Sequence, residues 1–142
     1  MRLSTKGRYA LRAVVDLALH ADRDPVSRKE IAERQDISPH YMEQLFAKLR
    51  DAGLIEAIRG PGGGYLLARP PEQITVGEVV RAVEEILTPV PCLDPDCDLD
   101  CERAPTCPTR RIWQQLGQRA SEYLDSLTIA DLCEDARQLE EA

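Results

Sequence analysis

Ser27-Arg28-Lys29-Glu30-Ile31-Ala32-Glu33-Arg34-Gln35-Asp36-Ile37-Ser38-Pro39-His40-Tyr41-Met42-Glu43-Gln44-Leu45-Phe46-Ala47-Lys48-Leu49 contains two helix starts joined by a tight turn. Ser27 and Glu30 form a capping box: the serine oxygen accepts from the N–H three residues on, and the glutamate reaches back. A short helix is predicted from there to Gln35, with Ile31 and Ala32 inward. Asp36-Ile37 makes the turn. Ser38 is the next N-cap, and Pro39 suits the first helical position, where no N–H is needed. The second helix is predicted to run to about Ala52. Met42, Leu45, Phe46 and Leu49 recur at three and four residues and face the core. That leaves His40, Tyr41, Glu43, Gln44, Ala47 and Lys48 on the other side, and Gly53 stops the helix.

Working outward, Leu54–Ile58 and Tyr65–Ala68 read as two short strands, with Arg59-Gly60-Pro61-Gly62-Gly63-Gly64 as the hairpin turn. Two short helices followed by a hairpin describe a winged helix-turn-helix, a mainly α fold with a small β-hairpin. Its second helix carries side chains suited to double-stranded DNA. Gln44 can read adenine, Lys48 can meet guanine or phosphate, and Glu43 can accept from cytosine N4. Ser38, His40 and Tyr41 share that face. The glycines of the turn, Gly60 and Gly63 among them, let backbone approach a phosphate closely, and Arg59 stands where a minor-groove arginine would. Lys6 and Arg8 are placed to reach phosphates from the chain start. A solvated helix face and a plain turn are the rival readings of the same residues.

Upstream, Tyr9–Ala21 reads as a helix with Ala10, Ala13, Val14, Leu17, Ala18 and Ala21 on its apolar stripe and Arg8, Arg12 and Asp16 off it. Downstream, Pro70-Pro71 is stiff. Thr75-Val76-Gly77-Glu78 is a second capping box, opening a helix with Val76, Val79, Val80, Val83 and Leu87 inward. Thr109 is expected to cap a longer helix whose apolar side holds Ile112, Trp113, Leu116, Ala120, Tyr123, Leu124 and Leu127. A winged helix gains specific affinity when a two-fold dimer reads two half-sites, so this helix is assigned to a homodimer interface. Thr128–Asp131 resembles one more helix start, with Leu132, Ala136 and Leu139 inward. The predicted organisation is a DNA-binding domain over 1–70 (helix-turn-helix about 28–51, wing 54–69), a linker helix over 71–91, a cysteine loop over 92–108, and dimerisation and C-terminal helices over 109–142.

The net charge of −7 hides a split: residues 1–70 carry +3 and residues 71–142 carry −10, with all three lysines in the first half. Phosphate contacts depend on local charge, so an acidic total does not exclude nucleic acid. No apolar run approaches the ~18 residues of a membrane span. The start lacks a signal-peptide core, so a cytoplasmic location is expected, where disulfides are rare.

Four of the five cysteines, Cys92, Cys97, Cys101 and Cys107, fall within the 16 residues from 92 to 107, among prolines 89, 91, 95, 105 and 108. A proline-rich stretch of this kind is a loop, and a long loop rich in thiols calls for something that orders it. Zinc prefers close cysteine pairs, which this spacing meets loosely. Iron–sulfur ligation tolerates irregular spacing and suits the ending Cys107-Pro108. A thiol switch without metal is the third chemistry. Cys133, on a helical stretch, reads as a small core residue. No nucleotide fingerprint or catalytic pair suggests an enzyme.

Met1-Arg2-Leu3-Ser4-Thr5-Lys6-Gly7-Arg8-Tyr9-Ala10, Ile37 to Phe46, Arg59 to Leu67 and Val76-Gly77-Glu78-Val79 resemble the IscR-type iron–sulfur regulators, over about residues 1–130. The resemblance implies a homodimeric winged-helix transcription regulator, with DNA contacts from Glu43 and Arg59 and a dimer helix after the cysteines. It also implies a 2Fe–2S cluster held by three cysteines and a histidine three residues beyond the last. Cys92, Cys101 and Cys107 match the three cysteines, but the histidine position holds Arg110, which cannot deprotonate to bind iron. Cys97 is extra, and is expected to replace the histidine. An all-cysteine set leaves 4Fe–4S open beside 2Fe–2S. The implied targets are genes for iron–sulfur assembly or related sulfur and redox functions.

Overall fold

The computed structural model describes residues 4–21, 24–83, 89–93 and 101–141. Leu87, Cys97 and the aspartates 94, 96, 98 and 100 lie outside them. The described elements are α1 (Thr5–His20), α2 (Arg28–Gln35), α3 (Pro39–Asp51), β1 (Ile55–Ile58), β2 (Gly64–Leu67), α4 (Val76–Val83), α5 (Arg110–Asp125) and α6 (Ile129–Glu141). Single 3₁₀ turns occur at Pro71–Gln73 and Pro91–Leu93.

Local chemistry sets most boundaries as expected. Ser27 and Glu30 close the capping box on α2 in both directions, each at 3.2 Å. Asp36 takes the left-handed conformation at the end of α2 (φ 53°), which aspartate tolerates better than most residues. Ser38 accepts from the Tyr41 N–H at 3.2 Å and opens α3. Other boundaries differ. α1 begins four residues earlier than the apolar stripe suggested, because Ser4 caps it by accepting from the Lys6 N–H. Lys6 and Arg8 therefore ride on the first turns of a helix. Thr75 accepts from the Glu78 N–H at 3.0 Å, but the Glu78 carboxylate turns to Arg69. Thr128 and Asp131 form the reciprocal box that the sequence only hinted at.

β1 and β2 pair antiparallel, Ile55 opposite Leu67 and Ile58 opposite Gly64. Val26, just before α2, adds a two-way backbone bridge to Tyr65, with N···O distances of 3.0 and 2.8 Å. The wing is thus stitched to the start of the helix-turn-helix. Gly64 makes the approach possible, since a Cβ there would strike the Val26 carbonyl oxygen.

One apolar core serves α1, α2, α3, α4, β1 and α6. Leu17, Ile31, Met42, Leu45, Phe46, Leu49, Val79 and Ile129 are fully buried in it. Each such side chain contributes about 1.5–3 kcal/mol relative to exposure. Phe46 meets the Tyr65 ring edge-on at 4.6 Å, which locks α3 to the wing. α4, expected as a linker helix with its valines inward, buries Val76, Val79, Val80 and Val83. Its stripe is wide enough to close the floor under α1. α6 is anchored by Ile129 and Cys133, whereas Leu139, expected inward, is 76% exposed at the edge of an open cleft shared with Leu11, Val15 and Leu19 of α1. α5 buries no residue fully.

Candidate nucleic-acid interface and cysteine pocket

α3 presents His40, Glu43, Gln44 and Lys48 to solvent, as its periodicity required. They are not loose. Gln44 Nε2 lies 3.3 Å from His40 Nε2 along one helix turn, and Glu43 pairs with Arg28 of α2 at 3.1 Å. Tyr41 is half-buried, with its ring edge-on to Tyr9 of α1 at 6.0 Å, so it braces α3 as well as bordering the exposed face. The Ser38 hydroxyl is spent on capping.

Across from α2, the wing tip carries an exposed Arg59. Gly60 and Gly62 have φ of 102° and 74°, and the Gly63 N–H closes the turn onto the Gly60 carbonyl at 2.9 Å. Gly63 has no room for a Cβ, which would meet the Ile58 carbonyl. Between α2, Pro39 and the wing runs an open cleft of about 760 Å³. Arg28 and Lys29 line its mouth, and the sequence reading had not singled them out. A signal was present: two cations in the first turn of a helix oppose the helix dipole, and that cost suggests another use.

Asp16 lies off the apolar stripe of α1, yet its side chain is only 1% exposed. Arg34 of α2 holds it through Nε at 3.0 and 3.2 Å and Nη2 at 2.7 Å, and Gln35 donates to it at 2.9 Å. The pairing raises the Arg34 pKa further above its ordinary value, chiefly through the Asp16 hydrogen bonds. Gln35 in turn accepts from Arg12 Nε at 3.2 Å, and its backbone carbonyl accepts from Arg12 Nη2. Arg12 lies 5.2 Å from the Tyr9 ring centre. A polar chain therefore runs from the buried face of α1, through the end of α2, to the ring that braces Tyr41.

The second site lies at the start of α5. Cys92, Cys101 and Cys107, all half-buried, line one pocket of about 110 Å³ together with Arg110 and Trp113. Turns from Cys101 to Ala104 and Arg103 to Thr106 fold the chain so that Cys101 and Cys107 meet Cys92 from its 3₁₀ turn. Thr109, expected as the helix cap, makes no capping bond; its hydroxyl stands 3.1 Å from Cys107 Sγ. That hydrogen bond, then the backbone N–H groups of Arg110 and Thr109 and the charge of Arg103, pull the Cys107 thiol below its ordinary pKa. Such a sulfur is ready to serve as a thiolate ligand. Among the described residues no three His, Cys, Asp or Glu side chains close on a single metal-ion point. The three sulfurs instead share the wall of a space several times the ~30 Å³ share of one water. The Arg110 Nε is buried there without a hydrogen-bond partner. Three thiols, one poised to ionise, and an unsatisfied N–H fit a sulfur-rich anionic group larger than one ion. Cys133 is apart from all this, buried in the core with its thiol pKa pushed up by desolvation.

Residues 3–135 match the Rrf2 family model, described as an iron-dependent transcriptional regulator. This chain belongs to the Rrf2 family. The Rrf2 chain is 43% identical over 140 residues to the HTH-type transcriptional regulator IscR of Vibrio campbellii, covering 99% of this chain and 82% of that one. Its fold matches that of T. potens IscR with a TM-score of 0.79, at 40% identity and covering 100% and 93% of the two chains. It also matches an oxidised form of Staphylococcus aureus CymR, with a TM-score of 0.76, at 33% identity and over 94% and 97%. The Rrf2 chain, a winged helix-turn-helix, is a DNA-binding transcriptional regulator and not an enzyme. No described helix is long and apolar enough to cross a membrane.

Proposed function

We propose that this Rrf2 protein is a cytoplasmic homodimer whose grip on a double-stranded DNA operator is governed by an iron–sulfur cluster in the pocket at the start of α5. The observation that carries the reading is the convergence of Cys92, Cys101 and Cys107 on one pocket beside Arg110 and Trp113. Cys97, separated from Cys101 by three residues of sequence, is the proposed fourth ligand. A 2Fe–2S cluster is the first choice, and an all-thiolate set also suits 4Fe–4S. When bound, the cluster supplies iron–thiolate bonds that tie residues 92–107 together and a couple that responds to oxidants.

The protein's own residues give a route from that pocket to DNA. The first turn of α5 forms one pocket wall. The far end of α5 is clamped to α4, where Arg81 pairs with Asp125 at 2.6 Å and reaches Ser121. Gly77 lets α5 approach, since a Cβ there would strike the Asp125 carboxylate. α4 packs against α1 and α3. A shift of α5 therefore presses on the helix that carries Glu43, Gln44 and Lys48. Ile112, Leu116 and Tyr123 on α5 are 56%, 43% and 64% exposed, and Trp113 is 37% exposed. With half-buried Ala120, Leu124 and Leu127, they supply the seam for a second copy. In the dimer, each α3 takes one major-groove half-site, with Arg59, Gly60 and Gly63 of the wing, and Lys6 and Arg8 of α1, on the flanking backbone. Arg28 and Lys29 join these as phosphate contacts. Genes for iron–sulfur assembly or related sulfur and redox functions are the proposed targets, in keeping with the likeness to IscR.

A thiol switch without metal is the second reading. It is favoured by the lowered Cys107 pKa and by the likeness to a regulator solved in an oxidised form. One experiment separates the two: purification without oxygen, then iron and sulfide assay, an absorption spectrum, and a footprint on the protein's own upstream DNA. Brown, iron-loaded protein whose footprint changes on cluster loss supports the cluster. Colourless protein whose footprint responds to a thiol oxidant supports the switch. Colourless, zinc-loaded protein with a fixed footprint would leave a zinc-stabilised DNA binder.

A further inference from the structure

Arg110 occupies the first position of α5 and shares a pocket wall with Cys92, Cys101 and Cys107. Among the described residues, its Nε is the buried side-chain nitrogen or oxygen left without a hydrogen-bond partner. Folded proteins rarely tolerate such a group, and fewer still when it belongs to a charged side chain. A guanidinium has donors and no acceptor, and it does not lose its proton, so Arg110 cannot be a ligand. It can offer an N–H and a fixed positive charge to an acceptor that enters the pocket. Three cysteine thiolates and the sulfides of a cluster are such acceptors, and their like charges repel one another.

Resting on the cluster reading above, we propose that Arg110 acts on the bound cluster as a hydrogen-bond donor to sulfur and as its counter-charge, favouring the reduced form and holding the iron. Net charge and hydrogen bonds to the sulfurs are what set the potentials of such centres. One-electron reduction adds a negative charge to the cluster. A nearby guanidinium stabilises that extra charge more than it stabilises the oxidised form, so its removal lowers the midpoint potential. Trp113 lines the same wall and adds an apolar face beside the interaction.

The test uses the full chain purified without oxygen, as wild type, Arg110→Met and Arg110→Lys. Iron and sulfide are assayed, and the midpoint potential is read by titrating with dithionite and mediators under absorption and EPR detection. Thermal melts check that each variant folds. The order expected is wild type, then Lys, then Met, from highest potential to lowest. The Met variant should show at least a tenfold change in the oxidised-to-reduced ratio at the wild-type midpoint, about 59 mV for one electron. A Met variant with the wild-type potential overturns the proposal while leaving the cluster reading intact. So does a Lys variant shifted as far as Met. If Met retains no iron, the Lys variant decides: iron retained in Lys supports the counter-charge, and iron lost in both overturns it. Wild-type protein that carries no iron would sink the cluster reading and this proposal together.

Discussion

Replacing Asp16 by Asn removes the charge at the buried end of the α1–α2 contact and leaves the shape nearly unchanged. Arg34 then faces a neutral amide with its Nε and Nη2 groups still aimed at the old carboxylate positions, 2.7–3.2 Å away. Breaking a fully buried pair costs about 3–5 kcal/mol. Here the Arg34 side chain is 35% exposed, so water recovers part of that loss and about 2–3 kcal/mol remains. For a chain of this size, at about 4 °C per kcal/mol, the melting temperature should fall by roughly 8–12 °C. Melts of Asp16→Asn, Arg34→Met and the double variant, all at one protein concentration, give the coupling directly. The double variant should be little worse than Asp16→Asn alone, because the unpaired guanidinium has gone. A fall of under about 3 °C for Asp16→Asn, or additivity within about 0.5 kcal/mol, would refute the view that this pair anchors α2 against α1.

Other expectations are simpler to check. In cluster-free, reduced protein, the lowered Cys107 pKa keeps more thiolate at a given pH, so alkylation should label Cys107 at a lower pH than an ordinary thiol. Cys133, raised and buried, should resist labelling until the protein unfolds, and peptide mapping across a pH series distinguishes the two. Gly64→Ala should cost about 1–3 kcal/mol, because the new Cβ meets the Val26 carbonyl and forces the wing away from α2. It should also weaken operator binding in a gel-shift titration; an unchanged melt would contradict the close approach. Trp113→Asp with Leu116→Asp should yield a folded monomer by analytical ultracentrifugation, with operator affinity down at least tenfold; a persistent dimer would place the interface elsewhere.

Much of this protein was decided by neighbours in the chain. Ser27 with Glu30, and Ser38 with Pro39, fix where α2 and α3 begin, because capping satisfies backbone groups within three residues. The spacing of Met42, Leu45, Phe46 and Leu49 fixes which face of α3 is buried, and so which face is left to solvent. The glycines between Ile58 and Tyr65 specify the hairpin. Tertiary structure alone decided the rest. Asp16 sits at the flank of an apolar stripe, and nothing local says that Arg34 and Gln35 will arrive to pair with it. How α4 joins the core depends on α1 and α3 packing against it. Hydrogen bonds and helical periodicity act over a few residues and leave a mark in the sequence. The pairing of a buried charge across 18 residues depends on distant segments brought together only by the packed fold.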